Sequence, residues 1–302
     1  TTFGSKLYEN YFPPKDEAIV SRLRKAGAII LGKTNTPEFG SGSNTSNKIF
    51  GPTRNPFNLK YTPGGSSGGS AVAVATGMLP FAHGSDTFGS LRNPATWSGI
   101  VGFRPTPGLV ARETRKVNYT HFSVQGPMAR SVADIALMMS GLVGYDSRDP
   151  MSVPWKNDDF NDCTNGDLSK IKVGWSADFS GEAPIDNNIR DKFAIIVKSL
   201  SGVFQFFDEC EFNISGARDA LWVLRCQYYL ANHKERVEKH SDVLSENIIS
   251  NVNAGLKMSL ADGAYAERVW SGVYREFQRL FEKIDLLILP GNAISPFLLK
   301  DG

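Results

Sequence analysis

Apolar residues recur at helical spacing near the start of the chain. In residues 15–27, the apolar side chains of Ile19, Val20 and Leu23 fall on one stripe of a helix, and Gly27 stands where a C-cap is expected. A short apolar run, "AIILGK" at residues 28–33, follows at once and suits a buried strand. This part of the chain therefore predicts a helix followed by a strand.

The same two patterns alternate over the rest of the chain. Ser131 and Asp134 have the spacing of a capping box, and the helix that they begin carries four apolar residues on one face: Ile135, Met138, Met139 and Leu142. Further helices are predicted in residues 186–200 and, several of them, in 216–283, and further strands in residues 171–175, 203–207 and 286–289. Strands alternating with helices predict an α/β fold, in which a mixed, twisted sheet is sandwiched between helical layers.

Composition narrows the class of protein. The chain has 302 residues, of which 41% are hydrophobic and 21% charged, which is typical of a globular protein with a sizeable core. A net charge of +2 without a basic block argues against nucleic acid as a partner, and no apolar run is long enough to cross a membrane. The cysteines, Cys163, Cys210 and Cys226, are sparse and lack metal-ligand spacing, so we expect a reducing, cytoplasmic location.

The stretch "PGGSSGGS" at residues 63–70 allows three interpretations. A flexible linker fits the composition, but the small-residue helix "SAVAVATG" begins at Ser70, inside the stretch. A phosphate-binding loop would end in Lys-Ser/Thr, which is missing here. A catalytic serine loop remains, because glycines let backbone N–H groups converge while serines supply hydroxyls. The long loop region of residues 34–69 also favours a functional role.

A second serine cluster supports the catalytic interpretation. Ser90 follows Ser66 by 24 positions, and a short helix between them can bring the two loops together. Residues 64–108, "GGSSGGSAVAVATGMLPFAHGSDTFGSLRNPATWSGIVGFRPTPG", closely resemble the amidase signature family. The resemblance extends upstream through "TTFGS" and "GAIILGKTNTPEFG", extends downstream through "QGPMARSVADIALMM", and weakens after about residue 180. It implies the amidase signature fold for residues 1–302 as a single domain.

The resemblance implies a Ser–cis-Ser–Lys triad that needs neither metal nor organic cofactor. Ser90 stands at the position of the nucleophile, and Ser66 at that of a serine after a cis peptide bond, which relays a proton between Ser90 and a lysine. The family's remaining roles fall on residues around the second loop. The backbone donors of an oxyanion hole are expected at Thr87, Phe88, Gly89 and Ser90. Supporting side chains are expected at Ser67, Asp86 and Arg92. Of these, Ser67 is expected to bond within the triad, and Asp86 and Arg92 to form an ion pair.

The family's lysine lies in a Gly-x-Pro-x-x-x-Lys-Asp segment that precedes the equivalent of "TTFGS". We therefore expect the triad lysine upstream of Thr1, and residues 1–302 to lack their N-terminal segment and also sequence after the final "LKDG". Activity of these residues alone is then expected to be very low. Lys33 matches a different family position and is expected to be a lysine at a strand end. His83 is expected to be a packed structural residue, with a Ser–His arrangement as the alternative.

Phe88 departs from the family, because most members carry glycine there. Either the loop adopts a conformation open to other residues, or the ring narrows the pocket; we favour the second, with Trp97 as a further candidate substrate contact. We predict an amide hydrolase for small aryl acyl amides, as in bacterial aryl acylamidases, with a homodimer left open. The alternatives are an amidotransferase subunit with partner subunits, in which glutamine stands where this chain has Asn93, and a catalytically inactive binding homologue.

Overall fold

The computed structural model describes residues 1–114, 116–155, 160 and 166–299, so Cys163 lies outside the described residues. Contacts between Cα atoms divide the chain into two compact units. The first comprises Thr1–Thr164, Arg236–Ile248 and Pro296–Gly302, and the second Asn165–Glu235 and Ile249–Ser295. The single amidase domain stays a prediction.

The first unit is built around a small antiparallel sheet. Its helices are α1 (Ala18–Lys25), α2 (Gly68–Ala75), α3 (Arg92–Ser98) and α4 (Val132–Leu142). Its strands are β1 (Ser46–Asn47) and β2 (Gly51–Pro52), which pair with each other, and β3 (Phe81–Asp86), β4 (Val101–Gly102) and β5 (Val124–Ala129), which lie in the order β3-β5-β4. Strand β3 pairs with β5 from Phe81↔Ala129 to Asp86↔Val124.

Helices cover both faces of this sheet. Successive side chains of a strand point to opposite faces, and Met128 and Ala129 of β5 accordingly enter two different apolar clusters. One cluster holds Ile19 of α1 and the predicted apolar face of α4. The other joins Ala71 of α2 and Ala95 of α3 to Met128. The predicted arrangement of strands between helices is therefore confirmed here.

The local signals of the predicted helices are also confirmed. Val20 and Leu23 pack beside Ile19, as their shared stripe predicts, and Gly27 follows α1 with a φ of 87°, the left-handed conformation of a glycine that ends a helix. At the start of α4, the Asp134 N–H donates to the Ser131 hydroxyl oxygen at 3.1 Å. The end of α1 and the start of α4 each depend on a few neighbouring residues, which is why the sequence predicted them.

The second unit carries a parallel sheet. Strands β6 (Lys172–Trp175), β7 (Phe206–Glu209) and β8 (Leu286–Ile288) lie in the order β7-β6-β8. Its long helices are α5 (Asn187–Leu200), α6 (Ala217–His240), α7 (Glu246–Leu256) and α8 (Leu260–Phe281), with α6 and α7 contributing residues to both units. Strands of both orientations thus occur, as an α/β fold with mixed pairing predicts. Among the described helices, none combines the length and apolarity needed to cross a membrane.

Three strand predictions differ from the structure. The strand expected at residues 203–207 is β7, which begins later, at Phe206, and ends at Glu209. Residues 28–33 form no strand, and the side chains of Ile29 and Leu31 are 85% and 74% exposed. A strand requires a neighbour for its backbone N–H and C=O groups, and no described strand pairs with this segment. Strand β8 forms as predicted, but Leu286 at its start is half exposed rather than buried.

Candidate active site

The two serine loops meet in the first unit. The Gly65–Ser66 peptide bond is cis, Ser66 is only 3% exposed, and α2 begins two residues later at Gly68. The N–H of Ser67 donates to the carbonyl oxygen of Ser90 at 3.2 Å. This bond lies directly after Ser66 on one loop and at Ser90 on the other, so the structure brings the predicted nucleophile loop and the predicted relay loop side by side.

The glycines of the first loop allow another segment to approach closely. A Cβ atom added to Gly69 would overlap the backbone of Asn35, and one added to Gly68 would overlap the hydroxyl of Thr45. Only residues without a side chain fit between these atoms. The stretch is therefore a tightly packed turn, and the linker interpretation is excluded.

Threonine hydroxyls hold the first loop in place. Thr45 Oγ1 donates to the carbonyl oxygen of Gly64 at 2.8 Å, and Thr36 Oγ1 donates to that of Ser66 at 3.3 Å. Thr62 Oγ1 accepts the Gly64 N–H at 3.0 Å. None of these three threonines was predicted as a site residue, although all three lie in the long loop region of residues 34–69, for which a functional role was predicted.

Ser67 has a different side-chain partner from the one expected. Its hydroxyl accepts the N–H of Ser85 at 3.1 Å and lies 3.2 Å from the Ser85 carbonyl oxygen, to which it donates. Ser70 Oγ donates to the carbonyl oxygen of His83 at 2.8 Å. The two hydroxyls thus pair with the outer edge of β3, and it is the Ser67 backbone, rather than its side chain, that bonds to Ser90.

Asp86 organises the nucleophile loop. Its carboxylate is fully buried and accepts the backbone N–H groups of Gly89 at 2.8 Å and Leu91 at 3.1 Å. Arg92 Nε lies 3.0 Å from one carboxylate oxygen and Arg104 Nη1 lies 2.9 Å from the other. The Asp86–Arg92 ion pair is present, and Arg104, which the sequence analysis did not single out, adds a second cation.

These contacts decide the charge of Asp86. Burial by itself would raise its pKa, but the hydrogen bond and charge of Arg92, the Gly89 N–H and the charge of Arg104 together hold the pKa of this carboxyl below its usual value. Burial lowers the pKa of Arg104, an effect that the neighbouring Asp86 carboxylate opposes. The loop that carries Ser90 is therefore closed around a buried anion.

The geometry revises the predicted oxyanion hole. The Gly89 N–H donates to the Asp86 carboxylate at 2.8 Å, so we no longer expect it to serve as an oxyanion donor. Thr87 and Ser90 stay predicted backbone donors, and so does Phe88. The backbone conformation explains why a phenylalanine fits at position 88, where most family members carry glycine. Phe88 is not among the residues with positive φ, whereas Gly89 beside it has a φ of 108°.

The packing partners of Phe88 and Trp97 distinguish the two aromatic candidates for substrate contact. The ring of Phe88 lies 5.7 Å from that of Phe122, centroid to centroid, with an interplanar angle of 37°. Trp97 instead packs against Gly64, where an added Cβ would lie 3.0 Å from the indole, and edge-on against Phe297. Trp97 thus buttresses the first serine loop, and Phe122 is the aromatic residue that accompanies Phe88.

His83 and Lys33 lack the contacts of a catalytic base. His83 Nε2 is buried without a hydrogen-bond partner among the described residues, so this nitrogen does not bond to Ser90. Burial, then the charges of Lys33 and Arg112, lower the pKa of His83 to about 4. Lys33 is exposed and lies on the segment that forms no strand. Over the described residues, no cluster of His, Cys, Asp and Glu is arranged to hold a metal ion.

Comparisons with known proteins identify the family of the chain. The family model described as Amidase matches residues 1–302. The chain is 34% identical to a glutamyl-tRNA(Gln) amidotransferase subunit of Halothermothrix orenii, over the whole chain and 68% of that protein. A bacterial aryl acylamidase of the amidase signature family superimposes with a TM-score of 0.86 at 28% identity, over 94% of this chain and 60% of that one. The corresponding amidotransferase subunit of Thermotoga maritima superimposes with a TM-score of 0.76 at 26% identity, over 100% of this chain and 66% of that one.

The chain belongs to the amidase signature family, as its serine loops predicted. It spans about two thirds of the length of these curated relatives and 60% of the aryl acylamidase. The family establishes the fold and a chemistry of carbon–nitrogen bonds.

Proposed function

We propose that the protein cleaves an amide bond through an acyl-enzyme on Ser90. One observation carries this proposal: the Ser67–Ser90 backbone hydrogen bond, which sets the nucleophile loop against the buried Ser66. The Asp86 carboxylate, held between two arginines, keeps the nucleophile loop in one conformation. A preorganised loop of this kind lets a hydroxyl attack without first ordering its surroundings.

The proposed reaction has two acyl transfers. The Ser90 hydroxyl attacks the amide carbonyl, and Ser66 relays its proton towards a base, for which the family resemblance predicts a lysine. The negative charge on the carbonyl oxygen is held by the backbone N–H groups of Thr87, Phe88 and Ser90; one such donor contributes about 100- to 1000-fold in rate. The nitrogen leaves with the proton, and water then hydrolyses the ester on Ser90 to release the acid.

Two amide classes are candidates. The relatives named as amidotransferase subunits favour the alternative of an amidotransferase subunit that works with partner subunits, and for this class we take glutamine as the test amide. The Phe88–Phe122 ring pair and the likeness to an aryl acylamidase favour a small aryl amide. Ser90 would perform the same chemistry on either. A cytoplasmic location and a homodimer stay predictions.

A serine-directed probe tests the acyl-enzyme on Ser90, and a panel of substrates tests the class of amide. The protein expressed from its complete gene is treated with a fluorophosphonate, and the labelled residue is located by mass spectrometry. We expect label on Ser90, none after Ser90→Ala, and full labelling after Ser199→Ala, which removes an exposed surface serine. Label on another serine of the wild type would overturn the mechanism. Rates with glutamine, acetamide and acetanilide then separate the two amide classes.

A further inference from the structure

Phe122 and Phe88 face each other because of the strand register. The β3–β5 ladder ends at the pair of Asp86 and Val124. Phe88 lies two residues after Asp86, and Phe122 two residues before Val124, so these two would pair if the ladder continued by two positions. Facing positions on antiparallel strands hold their side chains close together. The ring contact is thus a consequence of register, beside the loop of Ser90.

Arg104 ties these two segments together. Its Nη1 donates to the Asp86 carboxylate at 2.9 Å, and its Nη2 donates to the carbonyl oxygen of His121 at 3.2 Å. A guanidinium is a planar, rigid fork, so it fixes the distance between its two partners better than a lysine ammonium would. His121 directly precedes Phe122. The arginine therefore sets the position of Phe122 relative to the nucleophile loop.

We propose that Phe122, with Phe88, forms the subsite for a flat aromatic group of the amide substrate, and that Arg104 is its positioning residue. Both rings are half-buried, so they are fixed by packing and still reach solvent. Aromatic pairs favour offset or edge contacts with a further ring, whereas the charged groups of glutamine gain nothing from apolar faces. The inference rests on the proposed function and commits it to aryl amides.

The selectivity of Phe122→Leu tests the subsite. The ratio of kcat/KM for acetanilide to that for acetamide is expected to fall about 10-fold in Phe122→Leu, because leucine keeps bulk but loses the ring. Tyr119→Leu is the matched control, since Tyr119 belongs to the same segment but is 81% exposed; its ratio should equal that of the wild type. An unchanged ratio in Phe122→Leu would overturn the subsite.

A binding measurement separates this inference from the proposed function. Acetanilide binding is measured by calorimetry on Ser90→Ala with and without Phe122→Leu, so that no turnover is needed. We expect binding to weaken about 10-fold in the double variant, and equal binding would reject the subsite even if Ser90 is labelled by the probe. If the fluorophosphonate does not label Ser90, but acetanilide still binds and its binding still weakens in Phe122→Leu, only the acyl-enzyme is rejected.

Arg104→Lys tests the positioning role. Lysine keeps a positive charge near Asp86 but cannot bridge two acceptors in the same plane. We expect its acetanilide-to-acetamide ratio to fall towards that of Phe122→Leu, and Arg104→Lys combined with Phe122→Leu to add little further loss of selectivity. A ratio that stays at the wild-type value while both rates fall together would show that Arg104 supports the fold only, and would overturn its assigned role.

Discussion

Ser67 and Ser90 are joined main chain to main chain, since the N–H of Ser67 donates to the carbonyl oxygen of Ser90 at 3.2 Å. This bond uses no side-chain atom, so replacing Ser90 or Ser66 by alanine leaves it in place. The two loops therefore stay together when either hydroxyl is removed. Such variants test the chemistry of the site separately from its folding.

Ser66→Ala is expected to lower kcat/KM by about 100- to 10,000-fold, the range for losing a positioned proton-transfer group. Its free energy of unfolding should change by no more than about 1 kcal/mol. Ser67→Ala is the companion variant, because it removes two hydrogen bonds to Ser85 and should cost about 1–3 kcal/mol in stability. Steady-state kinetics and urea unfolding measure both. Full turnover by Ser66→Ala would eliminate the proton relay.

Gly69→Ala is expected to destabilise the first serine loop by about 1–3 kcal/mol, because the new methyl group would overlap the backbone of Asn35. Gly32→Ala provides the control, since no atom lies within 4 Å of its added Cβ and its φ is not in the left-handed region. Urea unfolding of both variants measures the difference. Equal stability of the two would show that residues 34–45 do not pack against this turn.

Asp86→Asn is expected to cost about 3 kcal/mol, because two arginines and two backbone N–H groups lose a buried anion. The exposed pair of Asp16 and Arg24 is the control, and Asp16→Asn should cost less than about 1 kcal/mol. The lowered pKa of Asp86 gives the sign with pH: its contribution is present above pH 4 and is lost as the pH falls through the folded pKa. The free energy of unfolding is measured against pH for the wild type and for Asp86→Asn. Curves that run parallel down to pH 3 would contradict this prediction.

His83 predicts a second pH effect at milder acidity. In the unfolded chain its imidazole takes up a proton near pH 6.5, but in the folded protein only near pH 4, so the unfolded state binds more protons between these values. Stability should therefore fall as the pH is lowered from 6.5 to 4, by about 3 kcal/mol in all. His83→Leu should flatten this part of the curve. Unfolding measured at pH 7 and pH 4.5 in both proteins provides the comparison.

The sequence by itself determined the features that depend on near neighbours. The apolar stripes of α1 and α4, the cap at Ser131 and the glycine after α1 each act within one or two helical turns, and each is where the pattern placed it. The serine loops were found for a related reason. A turn packed this tightly requires glycine and serine at fixed spacing, and such a pattern can be recognised in the sequence alone.

Only the tertiary structure decided the partners of groups that are distant in sequence. Arg104 bonds to Asp86 from 18 residues further along the chain, the Ser67 hydroxyl bonds to Ser85, and the Gly89 N–H donates to the Asp86 carboxylate. Residues 28–33 have the composition of a strand but no described strand beside them. A hydrogen bond or a strand needs a second group at the right distance. Chain folding, rather than local pattern, brings that group into place.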